Sequence, residues 1–147
     1  DRDRLEAAES ALNRAIGTAQ RAQAVRAEAA SRLWRGLVAH RQGHLALAQE
    51  YYGRARDLIH THGLVHLQNL LTASLAILGH GRGDDATIEW SGDGGTPEVF
   101  EVLQQLVACS HEMTAGNVDA KKKVQDLAKH PVMARSLDAR QVLALLA

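Results

Sequence analysis

Two pairs of histidines stand four residues apart, His40 with His44 and His62 with His66. On one unbroken helix that spacing places both imidazoles on one face, where they could share a metal ion. Gly43 interrupts the first pair and Gly63 the second. His111-Glu112 has no second histidine near it, and Cys109 with His111 is too small a set for a zinc site. We therefore read the eight histidines as surface and helix-end residues, with a histidine-based metal site as the alternative, and expect no cofactor and no bound metal. Nothing near Cys109 would activate its thiol, so it reads as a packed core residue. Arg82-Gly83-Asp84 spells an adhesion tripeptide, but three residues recur by chance. The run from Gly79 to Gly83 is not a phosphate loop, because it lacks the terminal Gly-Lys-Ser/Thr. Lys121-Lys122-Lys123 reads as the solvated face of a short helix, with contact to an acidic partner as the rival. No catalytic group is assigned, and no enzymatic activity is expected.

Composition narrows the class further. The 147 residues suit one domain, long enough to bury a core without disulfides or metal. Only two prolines occur and aromatics are 3%, while Ala and Leu dominate, which favours long helices. Seventeen basic and 17 acidic residues cancel, which argues against a nucleic-acid binder with a basic face and against electrostatic membrane attachment. No apolar run approaches the length of a transmembrane helix, so direct membrane insertion is not expected. The charged opening Asp1-Arg2-Asp3-Arg4 shows no signal peptide. With a lone cysteine, the expected location is cytoplasmic.

The elements follow from periodicity. Leu5, Ala8, Leu12, Ile16, Ala19 and Ala22 recur at spacings of three and four, and Val25, Ala29 and Leu33 continue the stripe. No proline or loop cluster interrupts it, which predicts one long helix from about Arg2 to Arg41. A second helix, about His44 to His62, carries Leu45, Ala48, Tyr52, Ala55 and Ile59. It would cover only half of the first, leaving residues 1–30 to pair with a later helix or with a second copy of the chain. A largely apolar helix from Leu64 to Leu78 should lie centrally. Gly79 to Gly95 holds six of the chain's 12 glycines and reads as a flexible loop. Within it Trp90 either tucks against the bundle or serves as an exposed anchor for a partner. Thr96-Pro97-Glu98 starts the next helix, with Phe100, Leu103, Leu106, Val107 and Met113 on its apolar side. A short helix from Val118 to Lys129 and a last one from Val132 to Leu146 complete the chain. Asp138 is a candidate cap if Ser136-Leu137-Asp138 divides the last helix. The expected fold is an all-α helical bundle of five or six helices, one domain over residues 1–147, with a long N-terminal helix and a Gly-rich internal loop.

The stretch Ser31 to His62 resembles one tetratricopeptide repeat, or the similar MIT hairpin of membrane-trafficking proteins. The resemblance rests on Gly36, Gly43, Ala48, Tyr52 and Ala55. Small residues at Gly36, Ala48 and Ala55 would let two helix backbones approach, with Tyr52 filling the gap. The chain departs from the repeat pattern at Arg32, Arg35, Ala39 and His60, and no second copy follows. With a helix led by Pro97, a short Gly116-Asn117 turn into a short amphipathic helix and an apolar helix after it, residues 96–147 are also similar to the small helical domain that closes outer-coat proteins of secretory vesicles, shared with the steroid-receptor RNA activator protein.

These resemblances imply a protein–protein interaction module or scaffold of a larger intracellular assembly, in membrane traffic. A hairpin of unequal helices leaves a groove in which a peptide helix could lie. Trp34, Tyr51, Tyr52 and Trp90 are the candidate partner-binding residues. Neighbours lie about 100° apart on a helix, so at least one of Tyr51 and Tyr52 should face outward. The alternative is a homo-oligomerising structural domain that pairs through residues 1–30.

Overall fold

The computed structural model describes residues 2–79, 90–92 and 95–146. Eight helices, and no strand, are found among the described residues: α1 (Arg2–Arg21), α2 (Val25–Arg41), α3 (Leu45–His62), α4 (Val65–Gly79), α5 (Pro97–Thr114), α6 (Asp119–Leu127), α7 (Val132–Arg135) and α8 (Leu137–Leu146). The chain is an all-α helical bundle. It has more helices than five or six because two expected helices are each divided.

The first division falls at Ala22 to Ala24. Gln23 adopts φ 55°, a left-handed conformation. Its N–H donates to the Gln20 carbonyl at 3.2 Å, and the Ala24 N–H to the Ala19 carbonyl at 2.9 Å. This is the Schellman arrangement that normally ends a helix at glycine. The expected long helix is therefore a helical hairpin. α1 folds back on α2 and makes no comparable contact with any other helix. Its inward stripe buries Ile16 and Ala19. At the contact, Glu9 binds Arg35 Nη2 at 2.9 Å and Gln42 Nε2 at 3.2 Å, and Asn13 accepts from Arg35 Nε at 3.1 Å. The N-terminal half thus finds a partner inside the chain. With α2 at 17 residues and α3 at 18, the length mismatch that would have left a groove in this hairpin is gone.

α2 is the most enclosed of these helices. Ala29, Leu33, Leu37 and Ala39 enter the main core, beside Ala48, Tyr52, Ala55 and Ile59 of α3. The small residues act as the sequence implied. A Cβ built at Gly36 would lie 2.5 Å from Cδ1 of Tyr52, so only glycine lets the ring seat there. Arg35 is charged and is buried all the same, its charge met by Glu9. Arg32 is likewise buried, paired with Glu28 at 2.8 Å.

Gly63, at φ 62°, caps α3 and turns the chain into α4. α4 contacts α2, α3, α5 and α8, the central position its apolar composition predicts. It buries Leu70, Leu71 and Ala73, and also two polar residues, Asn69 and Ser74. Asn69 clasps the chain at Ser91, within the glycine-rich stretch. Its Nδ2 donates to the Ser91 carbonyl at 3.1 Å, and its Oδ1 accepts from the Ser91 N–H at 2.7 Å. Residues 80–89, 93 and 94, including Arg82-Gly83-Asp84 and most of the expected loop, lie outside the described residues.

The C-terminal helices pack on this centre through Val102, Leu103, Leu106 and Val107 of α5 and Ala139 and Val142 of α8. Thr96 caps α5 by accepting from the Val99 N–H, with Pro97 in the first turn. The last expected helix divides at Ser136. Ser136, rather than Asp138, provides the cap, its hydroxyl accepting from the Ala139 N–H at 3.1 Å. Met113, expected on the apolar side of its helix, is exposed, as are Ala128 and Leu137. No helix of the described residues is long and apolar enough to cross a membrane.

Candidate functional site

The four aromatic candidates separate. Tyr52 is fully buried and cannot meet a partner, which corrects its place among surface residues. Its hydroxyl lies 3.0 Å from His40 Nδ1 and also meets the Ser74 hydroxyl. Ser74 donates to the Leu70 carbonyl at 2.7 Å. This polar ladder ties α2, α3 and α4 together inside the core. Burial pushes the Tyr52 phenol well above its usual range. Tyr51, its neighbour, is only half-buried. The Arg35 guanidinium carbon stacks 5.0 Å from the centre of its ring. Trp34 and Trp90 are half-buried and pack against the core cluster. Of the four, Trp34, Tyr51 and Trp90 keep some surface.

The histidine pairs are not brought into a metal centre: no group of three or more His, Cys, Asp or Glu side chains that could hold a metal ion occurs among the described residues. His40 belongs to the polar ladder, while His44, His62 and His66 are exposed. Burial holds His40 below the ordinary histidine value of 6.5. Its neutral form is therefore favoured in the native state, and unfolding raises its proton affinity. The stability this neutral histidine supplies is complete above pH 6.5 and is lost as pH falls through the lower folded value. Asp138 has the opposite sign. Burial raises its carboxyl above 3.8, against an opposing pull from His66, so its ionised form is disfavoured in the fold. We expect His40→Gln to flatten the loss of stability between about pH 7 and pH 5 in urea titrations. An unchanged pH slope in this variant would count against the burial of His40.

One of the surface clefts is lined mainly by apolar surface. It lies between α5 and α6, with a volume of about 380 Å³. Ala108, Cys109 and Leu127 give it an apolar floor, and Gln105, Glu112, Lys123 and Asp126 a polar rim. Its cause is a difference in length: α5 has 18 residues and α6 only nine, so α6 covers part of the α5 face. Ala120 and Val124 anchor α6 inward, which places Lys123 at the edge. Its ammonium meets Glu112 at 3.1 Å across the two helices, and that hydrogen bond holds the Lys123 pKa up. Lys121 and Lys122 are exposed, as expected of a solvated face. Asp126 is the rim charge without an ion pair among the described residues. Cys109 is 4% exposed, and burial together with Glu112 raises its thiol pKa, which keeps it a protonated packing group. The adjoining turn carries Val118, 85% exposed, and Met113, 36% exposed.

Sequence reading missed this cleft. Its one available signal was the unequal length of the two helices, since Ala108 and Leu127 are unremarkable as residue types. No family model, curated protein or solved structure matches this chain.

Proposed function

We propose that the chain is a non-catalytic interaction module of a larger intracellular assembly, and that it receives a peptide helix in the α5–α6 cleft. The observation that carries this reading is the half-covered face of α5: an apolar floor, a polar rim, and exposed Met113 and Val118 beside it. Helix-in-groove recognition needs an apolar stripe in the guest to meet such a floor. Asp126 favours a guest with a basic residue on the flank of that stripe. A cytoplasmic setting fits the single protonated thiol. The Gly36–Tyr52 seat supports kinship with tetratricopeptide or MIT hairpins, and with it a role in membrane traffic. We also propose a second copy of the chain as a partner through residues 1–30, supported by the backbone at Gln23.

The test uses an isotope-labelled chain titrated with an 18-residue amphipathic peptide bearing a Leu/Ala stripe flanked by lysines. Shifts should concentrate at Ala108, Cys109 and Leu127. Ala108→Glu should abolish them, and Asp126→Asn should weaken binding by roughly threefold, as expected of an exposed charge pair. Shifts gathered elsewhere, or none, would overturn the cleft as the site.

A further inference from the structure

The described residues contain four positions with positive φ, and three are glycines: Gly43, Gly63 and Gly116. The exception is Gln23, at the turn joining α1 to α2. A left-handed glutamine carries a steric penalty that glycine does not. The three residues of the turn, Ala22, Gln23 and Ala24, are all good helix formers. Nothing in their types opposes a straight helix from Arg2 to Arg41, which is what the periodicity of the stretch describes. The hairpin exists because α1 finds its complement on α2: Ile16 and Ala19 are buried, and Glu9 holds Arg35 and Gln42. The same complement is available on a second copy.

We propose that α1 exchanges between two copies of this chain, the turn at Ala22 to Ala24 straightening to give a domain-swapped dimer. This rests on the pairing through residues 1–30 stated above and supplies its mechanism. In the exchanged form each chain presents one continuous helix of 40 residues, from Arg2 to Arg41. Two such helices lie antiparallel, α1 of one against α2 of the other, with the Gln23 residues at the crossing. The arrangement is closed by a two-fold axis, so it ends at a dimer. Every α1–α2 contact is kept, including Glu9 with Arg35, and the left-handed strain is relieved twice. Opposing this is the loss of freedom on association, which makes the balance depend on concentration. Because α1 packs on α2 and little else, release of α1 leaves the core of α2, α3 and α4 intact.

The experiment is light scattering on a sizing column after warm incubation, across a hundredfold range of concentration, for the full chain and two variants. Wild type should move from 15.9 kDa toward twice that mass as concentration rises. Gln23→Gly accepts the turn freely, and both hinges count, so the dimer dissociation constant should rise by roughly tenfold or more. Gln23→Val resists the turn and should lower it. A crosslink then separates exchange from simple pairing. In a Cys109→Ser background, Glu9→Cys and Gln42→Cys are joined by a short bis-maleimide, since the two native side chains lie 3.2 Å apart. Exchanged dimers give covalent two-chain bands on a denaturing gel. A single-chain mass under every condition overturns the pairing through residues 1–30 together with the exchange. A dimer linked only within chains, or one indifferent to residue 23, leaves the pairing standing and overturns the exchange.

Discussion

Replacing Tyr52 by alanine is expected to lower stability by about 3–5 kcal/mol and the melting temperature by roughly 10 °C. Tyr52 is among the largest fully buried side chains, and its ring fills the space that Gly36 leaves between α2 and α3. Two losses combine in the variant. The ring's burial and contacts disappear, leaving a cavity that Gly36, Ala48 and Ala55 are too small to fill. The polar ladder also breaks, so His40 Nδ1 and the Ser74 hydroxyl lose their shared partner. Tyr52→Phe isolates the second loss, at about 1–3 kcal/mol for buried groups left unpaired. Urea and thermal unfolding of the two variants give both numbers. A Tyr52→Ala loss below about 1 kcal/mol would be incompatible with a core centred on this ring.

The second large effect is one of sign. Glycine to alanine inside a helix ordinarily stabilises by up to about 1 kcal/mol. Gly53 on α3 has open space around it, so Gly53→Ala should follow that rule. Gly36→Ala should reverse it. The added Cβ would sit 2.5 and 2.6 Å from Tyr52 Cδ1 and Cε1, and the ring has no exposed side toward which to move. Overpacking of this kind costs about 1–3 kcal/mol and outweighs the gain in helix propensity. Melting curves of the two alanine variants should therefore move in opposite directions. A stabilised Gly36→Ala would mean that the α2–α3 interface is looser than the Tyr52 seat requires.

Much of this fold is written in local pattern. The spacing of Leu45, Ala48, Tyr52, Ala55 and Ile59 draws the inner face of α3, and Thr96-Pro97 fixes the start of α5. Gly63 marks the end of α3 because only its left-handed backbone closes that cap without strain. The turn at Gln23 could not be read in this way. Its residues favour helix, and the break is imposed by what α1 gains against α2, a long-range effect that periodicity does not carry. Arg35 was opaque for a related reason. A charged side chain marks the surface unless its partners are known, and Glu9, Asn13 and Tyr51 come from two other helices. The adjacency of Tyr51 and Tyr52 announced that one would face out. It could not reveal that the inner one would be wired to His40 and Ser74.

The same limit applies to the candidate site. Ala108, Cys109 and Leu127 form a cleft floor only because α6 ends short along α5, and their residue types alone point to ordinary core. Trp34, Tyr51 and Trp90 attract notice by type, yet Trp34 and Trp90 lie half-buried against the core cluster, Tyr51 stacks with Arg35, and none of the three lines the α5–α6 cleft.

α1 is a separable helix held chiefly by α2, on a core built from α2, α3 and α4. Native-state hydrogen exchange, measured residue by residue in low concentrations of urea, tests it directly. Amides of α1 should exchange through a partial opening of low free energy and small denaturant dependence. Those around Leu33, Tyr52 and Leu71 should exchange only on global unfolding. Equal protection across α1 and the core, converging on one global value, would contradict the claim.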